Sequence, residues 1–137
     1  MSDQQPIRVR DVMKPDFDLV DGMDTVKTAL ENMMHVGTKS LIVKKRNAED
    51  EFGIVLLSDI ARKVLAADRA PERVNIYEIM TKPVITVSPE MDIRYCARLF
   101  SRFDLLRAPV VEDGEVIGII SHTDMVLKGL CKQLGKL

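Results

Sequence analysis

Apolar residues along this chain fall into two kinds of run, which alternate in a fixed order. Val26, Ala29, Leu30 and Met33 recur at the 3.6-residue period of one helix face, and Ile93, Ala97 and Phe100 do so further on. Asp24 and Asp92 stand where these helices would begin, placed to accept from the unpaired N–H groups of a first turn. Short β-branched runs follow each helix: Leu41-Ile42-Val43 with Phe52-Gly53-Ile54-Val55, and Pro109-Val110-Val111 with Val116-Ile117-Gly118-Ile119-Ile120. The second pair is joined by Glu112-Asp113-Gly114-Glu115. Asp-Gly between apolar runs predicts a hairpin, because glycine takes positive φ without steric cost. Short extended stretches, Phe17 to Val20 and Val84 to Val87, precede the helices, and a last helix is expected after Ser58-Asp59 and Thr123-Asp124.

The pattern is a repeat. Asp11-Val12-Met13 recurs as Glu78-Ile79-Met80, 67 residues later, and Val20 to Val26 matches Val87 to Ile93 at the same offset. Leu41-Ile42-Val43 falls on Ala108-Pro109-Val110; the register then slips by two, where the polar turn Arg46 to Glu51 lengthens the first copy. Gly53-Ile54-Val55 meets Gly118-Ile119-Ile120, and Asp59 meets Asp124. The sequence thus divides into residues 8–67 and 75–132, with Arg69 to Arg73 as linker. Each copy reads β-α-β-β-α. The expected class is α/β (α+β), with the two repeats packed face to face about a pseudo-two-fold axis. One copy is too small to cover its own apolar face, and the packing leaves clefts where a ligand would sit.

Composition narrows the function classes. The chain has 137 residues, 46% hydrophobic and 30% charged, enough for a core. Aromatic residues are 4% with no Trp, so aliphatic side chains and eight Met must fill that core. Twenty basic and 21 acidic residues give a net charge of -1, which argues against a nucleic-acid partner. No apolar run approaches the length of a membrane span, and no signal peptide is visible. Cys96 and Cys131 lack any CxxC spacing and suit reduced thiols, so a cytoplasmic location is expected.

Catalytic and metal motifs are missing. The sequence contains no GxxxxGK[ST], GxGxxG, HExxH or GxSxG. His35 and His122, the only histidines, stand apart from cysteines and carboxylates at ligand spacing, so no metal site or enzyme activity is expected.

Leu105 to Val126 carries a hydrophobic-Pro-Val-Val strand, an acidic-Gly turn, then Gly-Ile-Ile-Ser-x-x-Asp. That order, with the doubled β-α-β-β-α pattern, resembles the CBS domain family; two such domains form a Bateman module. The resemblance covers nearly the whole chain and implies a regulatory module that binds AMP, ADP, ATP or a related adenosine compound. It implies that Asp124 accepts from the ribose hydroxyls and that Ser121 lies near the first phosphate. Asp59 matches Asp124 in the first copy, where Leu56 replaces the hydroxyl. Lys39 and Arg107 fall where the family often places phosphate-binding cations, and its crossed geometry would aim both at the cleft of Asp59. Helix starts after Ser58-Asp59 and Thr123-Asp124 could also face an anion. Val84, Ile85 and Ile119 would sandwich the base.

Each residue also has a plainer reading. Asp59 and Asp124 could be helix caps, Ser121 a strand-end hydroxyl, and Lys39 and Arg107 solvated charges. Three functions stay open: an adenosine-nucleotide sensor acting on a partner protein, a docking or dimerisation module with empty clefts, and a sensor of another ligand such as S-adenosylmethionine. Adjacent apolar residues, Met33 with Met34 and Leu99 with Phe100, suggest a homodimer built on the helices.

Overall fold

The structure is a computed structural model and describes residues 5–136. In chain order its elements are α1 (Val9–Val12), β1 (Leu19–Val20), α2 (Val26–Glu31), β2 (Ser40–Val43), β3 (Gly53–Leu56) and α3 (Leu57–Ile60). Then come α4 (Ile93–Phe103), β4 (Arg107–Glu112), β5 (Glu115–Ser121), α5 (His122–Asp124) and α6 (Cys131–Gln133). A π-helical stretch extends α3 through Ala61–Leu65, and another, Met125–Leu130, joins α5 to α6. Phe17–Val84 form one compact unit; the described residues on either side of it form the other.

In the Phe17–Val84 unit, β1 lies parallel to β2 and β2 antiparallel to β3. Its core holds Val20, Val26, Ala29, Leu41, Val43, Val55, Val64, Val74, Ile76 and Ile79. Ile76 and Ile79 belong to the opening segment of the second repeat, yet they are fully buried among first-repeat residues. Thr81 continues this attachment, exchanging both backbone hydrogen bonds with Ile54 at 2.9 Å. Burying one such isoleucine contributes about 1.5–3 kcal/mol, which holds the segment down.

The other unit mirrors the arrangement. β4 and β5 form an antiparallel hairpin, and Val87 makes a parallel bridge to Val110. Its core holds Val9, Val12, Val87, Cys96, Phe100, Ala108, Val110, Ile120 and Met125. Here the opening segment of the first repeat is the guest, since α1 contributes Val9 and Val12. The opener of each repeat therefore lies in the unit built mainly from the other repeat.

Several local expectations are corrected. Thr25, not Asp24, caps α2: its hydroxyl oxygen accepts from the Thr28 N–H at 3.1 Å. Asp92 caps α4 as expected, accepting from the Arg94 N–H at 2.8 Å. In α4 the buried positions are Cys96 and Phe100, four apart, while Ala97 is exposed because it lies about 100° further round the helix. α2 ends at Glu31, so Met33 packs against the core from beyond the helix, and Leu30 is exposed. The Val84 to Val87 stretch forms one bridge rather than a strand. Asp113 and Gly114 take φ of 53° and 79°, the paired left-handed turn that Asp-Gly predicts.

Candidate functional site

The last helices begin earlier than the sequence reading placed them. α5 starts at His122 and α3 at Leu57, so Asp124 and Asp59 are third residues of their first turns. This is the geometry of a capping box. The Ser121 side-chain oxygen accepts from the Asp124 N–H at 3.1 Å. In return, Asp124 Oδ2 accepts from the Ser121 N–H at 3.2 Å and from the Ser121 hydroxyl at 2.9 Å. Both residues are buried, with 7% and 3% exposure.

The other oxygen, Asp124 Oδ1, faces cations. Lys14 Nζ lies 2.7 Å away and Lys128 Nζ 3.7 Å away. Lys14 reaches this point because its backbone exchanges both hydrogen bonds with Ile119 on β5, each at 2.9 Å. Gly118 permits the approach: a Cβ there would meet the Lys14 carbonyl oxygen at 2.6 Å and Met13 Sδ at 2.8 Å. Arg107 is the register partner of Ser121 across the hairpin and is half-buried. Burial lowers the pKa of its guanidinium, and the charge of Asp124 opposes that shift.

Burial by itself would raise the Asp124 carboxyl, but Lys14, the Ser121 hydroxyl and the charge of Lys128 outweigh it and hold the group below the ordinary carboxylate range. A depressed folded-state pKa adds stability above the unfolded value of about 3.9, which is lost as pH falls through the folded value. Melting between pH 6 and 2.5 should therefore show an acid-side loss that is smaller in Lys14→Met. An unchanged acid limb would mean that the pair adds no stability.

The Phe17–Val84 unit repeats the frame with different chemistry. Asp59 is 7% exposed; its carboxylate accepts from the Leu56 N–H at 2.9 Å and from Arg62 at 2.7 Å. Leu56 supplies no hydroxyl. The position of Arg107 is taken by Ser40, register partner of Leu56, and that of Lys14 by Thr81, which bridges Ile54. Lys39 is exposed in a left-handed conformation, its carbonyl accepting from the Leu57 N–H at 3.0 Å. Ser58 and Thr123 are exposed on the first turns of α3 and α5. Val84 and Ile85 are half-buried, and Ile119 is buried.

Of the residues singled out by sequence, Ser121, Asp124 and Arg107 come together, whereas Asp59, Ser58 and Lys39 lie in the other unit. Lys14 was missed. Its only sequence signal is that Met13-Lys14 repeats as Met80-Thr81, a cation against a neutral residue. Met34 is exposed while Met33 packs inward, and Phe100 is buried while Leu99 packs partly against the core. Cys96 and Cys131 are free, and burial pushes the Cys96 thiol up to about 11. Among the described residues no group of three His, Cys, Asp or Glu could hold a metal, and no helix is long and apolar enough to cross a membrane.

The CBS domain family model matches residues 76–129. A hexameric CBS-CP12 protein from bloom-forming cyanobacteria is 35% identical and superposes with a TM-score of 0.86 over 93% of this chain and 73% of its own. The chain belongs to the CBS domain family. A mitochondrial CBS domain-containing protein of Arabidopsis thaliana is 29% identical over 86% of this chain and 62% of its own length. The chain spans about three fifths of the length of its first curated relatives. The CBS domain pair of a protein solved with 5′-methylthioadenosine and S-adenosyl-L-methionine is 23% identical, with a TM-score of 0.74 over 96% of this chain and 98% of its own. CBS domain proteins are generally regulatory rather than catalytic.

Proposed function

We propose that this CBS protein is a non-catalytic sensor of an adenosine-containing nucleotide, of the AMP, ADP or ATP class, that signals to a partner protein. The observation that carries the reading is the buried Ser121–Asp124 pair, with Arg107 opposite it and Lys14 on the second carboxylate oxygen. A carboxylate can accept two hydrogen bonds from a vicinal diol, and charge-assisted bonds of this kind contribute about 1.5–3 kcal/mol. Guanidinium and ammonium groups alongside suit phosphate oxygens. Ser121 and Asp124 form the primary contacts, with Thr123 on the same turn. Asp59, Ser58 and Lys39 form a second and weaker set, because Leu56 cannot offer a hydroxyl. Half-buried Ile85 supplies apolar surface for the base.

A thermal-shift panel with AMP, ADP, ATP, NADH and S-adenosylmethionine tests the reading. A nucleotide at about 100 times its dissociation constant should stabilise the protein by about 2.7 kcal/mol. A flat response to every compound would leave a docking module. The solved complex of the CBS pair with S-adenosyl-L-methionine keeps that ligand as the second reading.

We also propose a homodimer in the cytoplasm. Exposed Met34, Val126, Leu127 and Leu130 supply apolar surface for the contact, and the free thiols suit a reducing compartment. Light scattering at tens of micromolar should give twice the mass of one chain; the mass of a single chain would overturn the dimer.

A further inference from the structure

We propose that the exposed face of α4 is a docking surface for an acidic segment of a partner protein, with Arg98 and Arg102 as the contacts that select it. The inference rests on the partner-protein half of the proposed function and names the surface and chemistry of that contact. The nucleotide half is independent of it.

The sequence of α4 sets up the charge. The helix buries Cys96 and Phe100, so residues about 180° round from them face water. Arg94, Arg98 and Arg102 fall there, spaced by four, each about 6 Å further along the axis than the last. No Asp or Glu occurs between Ile93 and Phe103. Arg94 is neutralised by Asp92 at 2.7 Å. Arg98 and Arg102 form no ion pair or side-chain hydrogen bond among the described residues. Asp104, the next acid along, ends the helix in a left-handed conformation and pairs with neither. The second half of α4 therefore carries positive charge with no carboxylate to meet it.

Apolar groups flank these arginines. Tyr95 is 58% and Phe103 53% exposed, and with Leu99 they border an open groove of about 550 Å3 that Arg98 and Arg102 also line. The Arg98 guanidinium lies over the Tyr95 ring, 5.1 Å from its centre. Stacking uses the flat face of a guanidinium and leaves its N–H edge for a carboxylate. Tyrosine and arginine are also the side chains that dominate contacts between proteins.

Other occupants fit less well. Arg98 covers a Tyr95 face that a nucleobase would use, and a net charge of -1 exerts no long-range pull on a polyanion. A two-fold contact between copies through this face would set Arg98 and Arg102 against their own counterparts. The first repeat lacks the surface altogether. At the 67-residue offset, Arg98 meets Glu31, Arg102 meets His35 and Tyr95 meets Thr28. Charge on α2 is balanced, with Lys27 and Glu31 one turn apart.

The test is fluorescence anisotropy of a labelled synthetic peptide, a repeat of Glu-Glu-Leu, on the intact protein, with a Gln-for-Glu peptide and oligouridylate as comparison probes. Wild type should bind the Glu peptide at least about tenfold more tightly than the Gln peptide, the effect of one charge-assisted contact, and salt should narrow the gap. Arg98→Gln/Arg102→Gln should lose that preference and keep both its melting point and its thermal response to AMP. Lys27→Gln/Arg73→Gln removes equal charge from exposed positions of the other unit and should bind the peptide as wild type does. Equal loss in the two double variants would mean unspecific charge and overturn the inference. Tighter binding of oligouridylate than of the Glu peptide would overturn it in favour of a nucleic acid. A fall of Arg98→Gln/Arg102→Gln to the mass of one chain in light scattering would overturn it in favour of a contact between copies. Glu peptide bound equally by wild type and Arg98→Gln/Arg102→Gln would place the partner contact elsewhere and overturn this face alone. No binding by a wild type that still responds to AMP would overturn the docking surface and leave the nucleotide reading intact.

Discussion

Asp124→Asn is expected to keep the fold and lose the response to nucleotide. The amide retains one oxygen, which can still accept from the Ser121 N–H, so the box that starts α5 survives in part. What disappears is the charge and the second acceptor. The diol then meets one neutral oxygen beside an NH2 group, and the Lys14 ammonium loses its counter-ion. With about 1.5–3 kcal/mol at stake in each charge-assisted bond, nucleotide affinity should fall by about two orders of magnitude. The 2′-deoxy nucleotide should reproduce part of this loss on the unmodified protein, because it removes one partner of the same carboxylate. A variant that melts early without ligand but still responds fully to nucleotide would show that Asp124 serves only the helix start.

The second large effect is expected from Gly118→Ala. A Cβ at this position would lie 2.6 Å from the Lys14 carbonyl oxygen, and that oxygen is pinned by the Ile119 N–H at 2.9 Å. Backbone held by a β-bridge cannot give way as a side-chain end can. Overpacking of this kind costs about 1–3 kcal/mol. The strain falls on the segment that carries Lys14, so weaker anion binding should accompany the lower melting point. Gly37→Ala is the control, since nothing lies within 4 Å of a Cβ there and its φ is ordinary. A Gly118→Ala protein as stable as the control would mean that the close approach of the two backbones is not needed.

The elements legible in the sequence were those set by neighbours in the chain. The β4–β5 hairpin follows from Asp113-Gly114 between apolar runs, and the Ser121–Asp124 pair lies within three residues. Adjacent candidates could not be separated by pattern alone. Asp24 and Thr25 both offer a capping oxygen, and only the path of the backbone selects Thr25. Ala97 fits a helical period as well as Cys96 does, but the turn fixed by the Asp92 cap puts Cys96 inside. Lys14 escaped because its partner lies 110 residues away. That contact requires the opening segment of the first repeat to pack on the hairpin of the second, a long-range choice that leaves no local mark. Leu56 was visible as a lost hydroxyl, yet the neutral Ser40 and Thr81 beside it gain meaning only once their register with β3 is known.

The most direct measurement of the central claim is an NMR titration of the intact protein with AMP, following backbone amide resonances. If Ser121 and Asp124 hold the nucleotide, their amides and those of Lys14 and Arg107 should shift first and saturate together. Adenosine should shift the same set at higher concentration. Resonances unmoved at about 1 mM AMP, where binding would have to be weaker than about 4 kcal/mol to escape notice, would contradict the account. So would shifts confined to residues remote from Ser121 and Asp124.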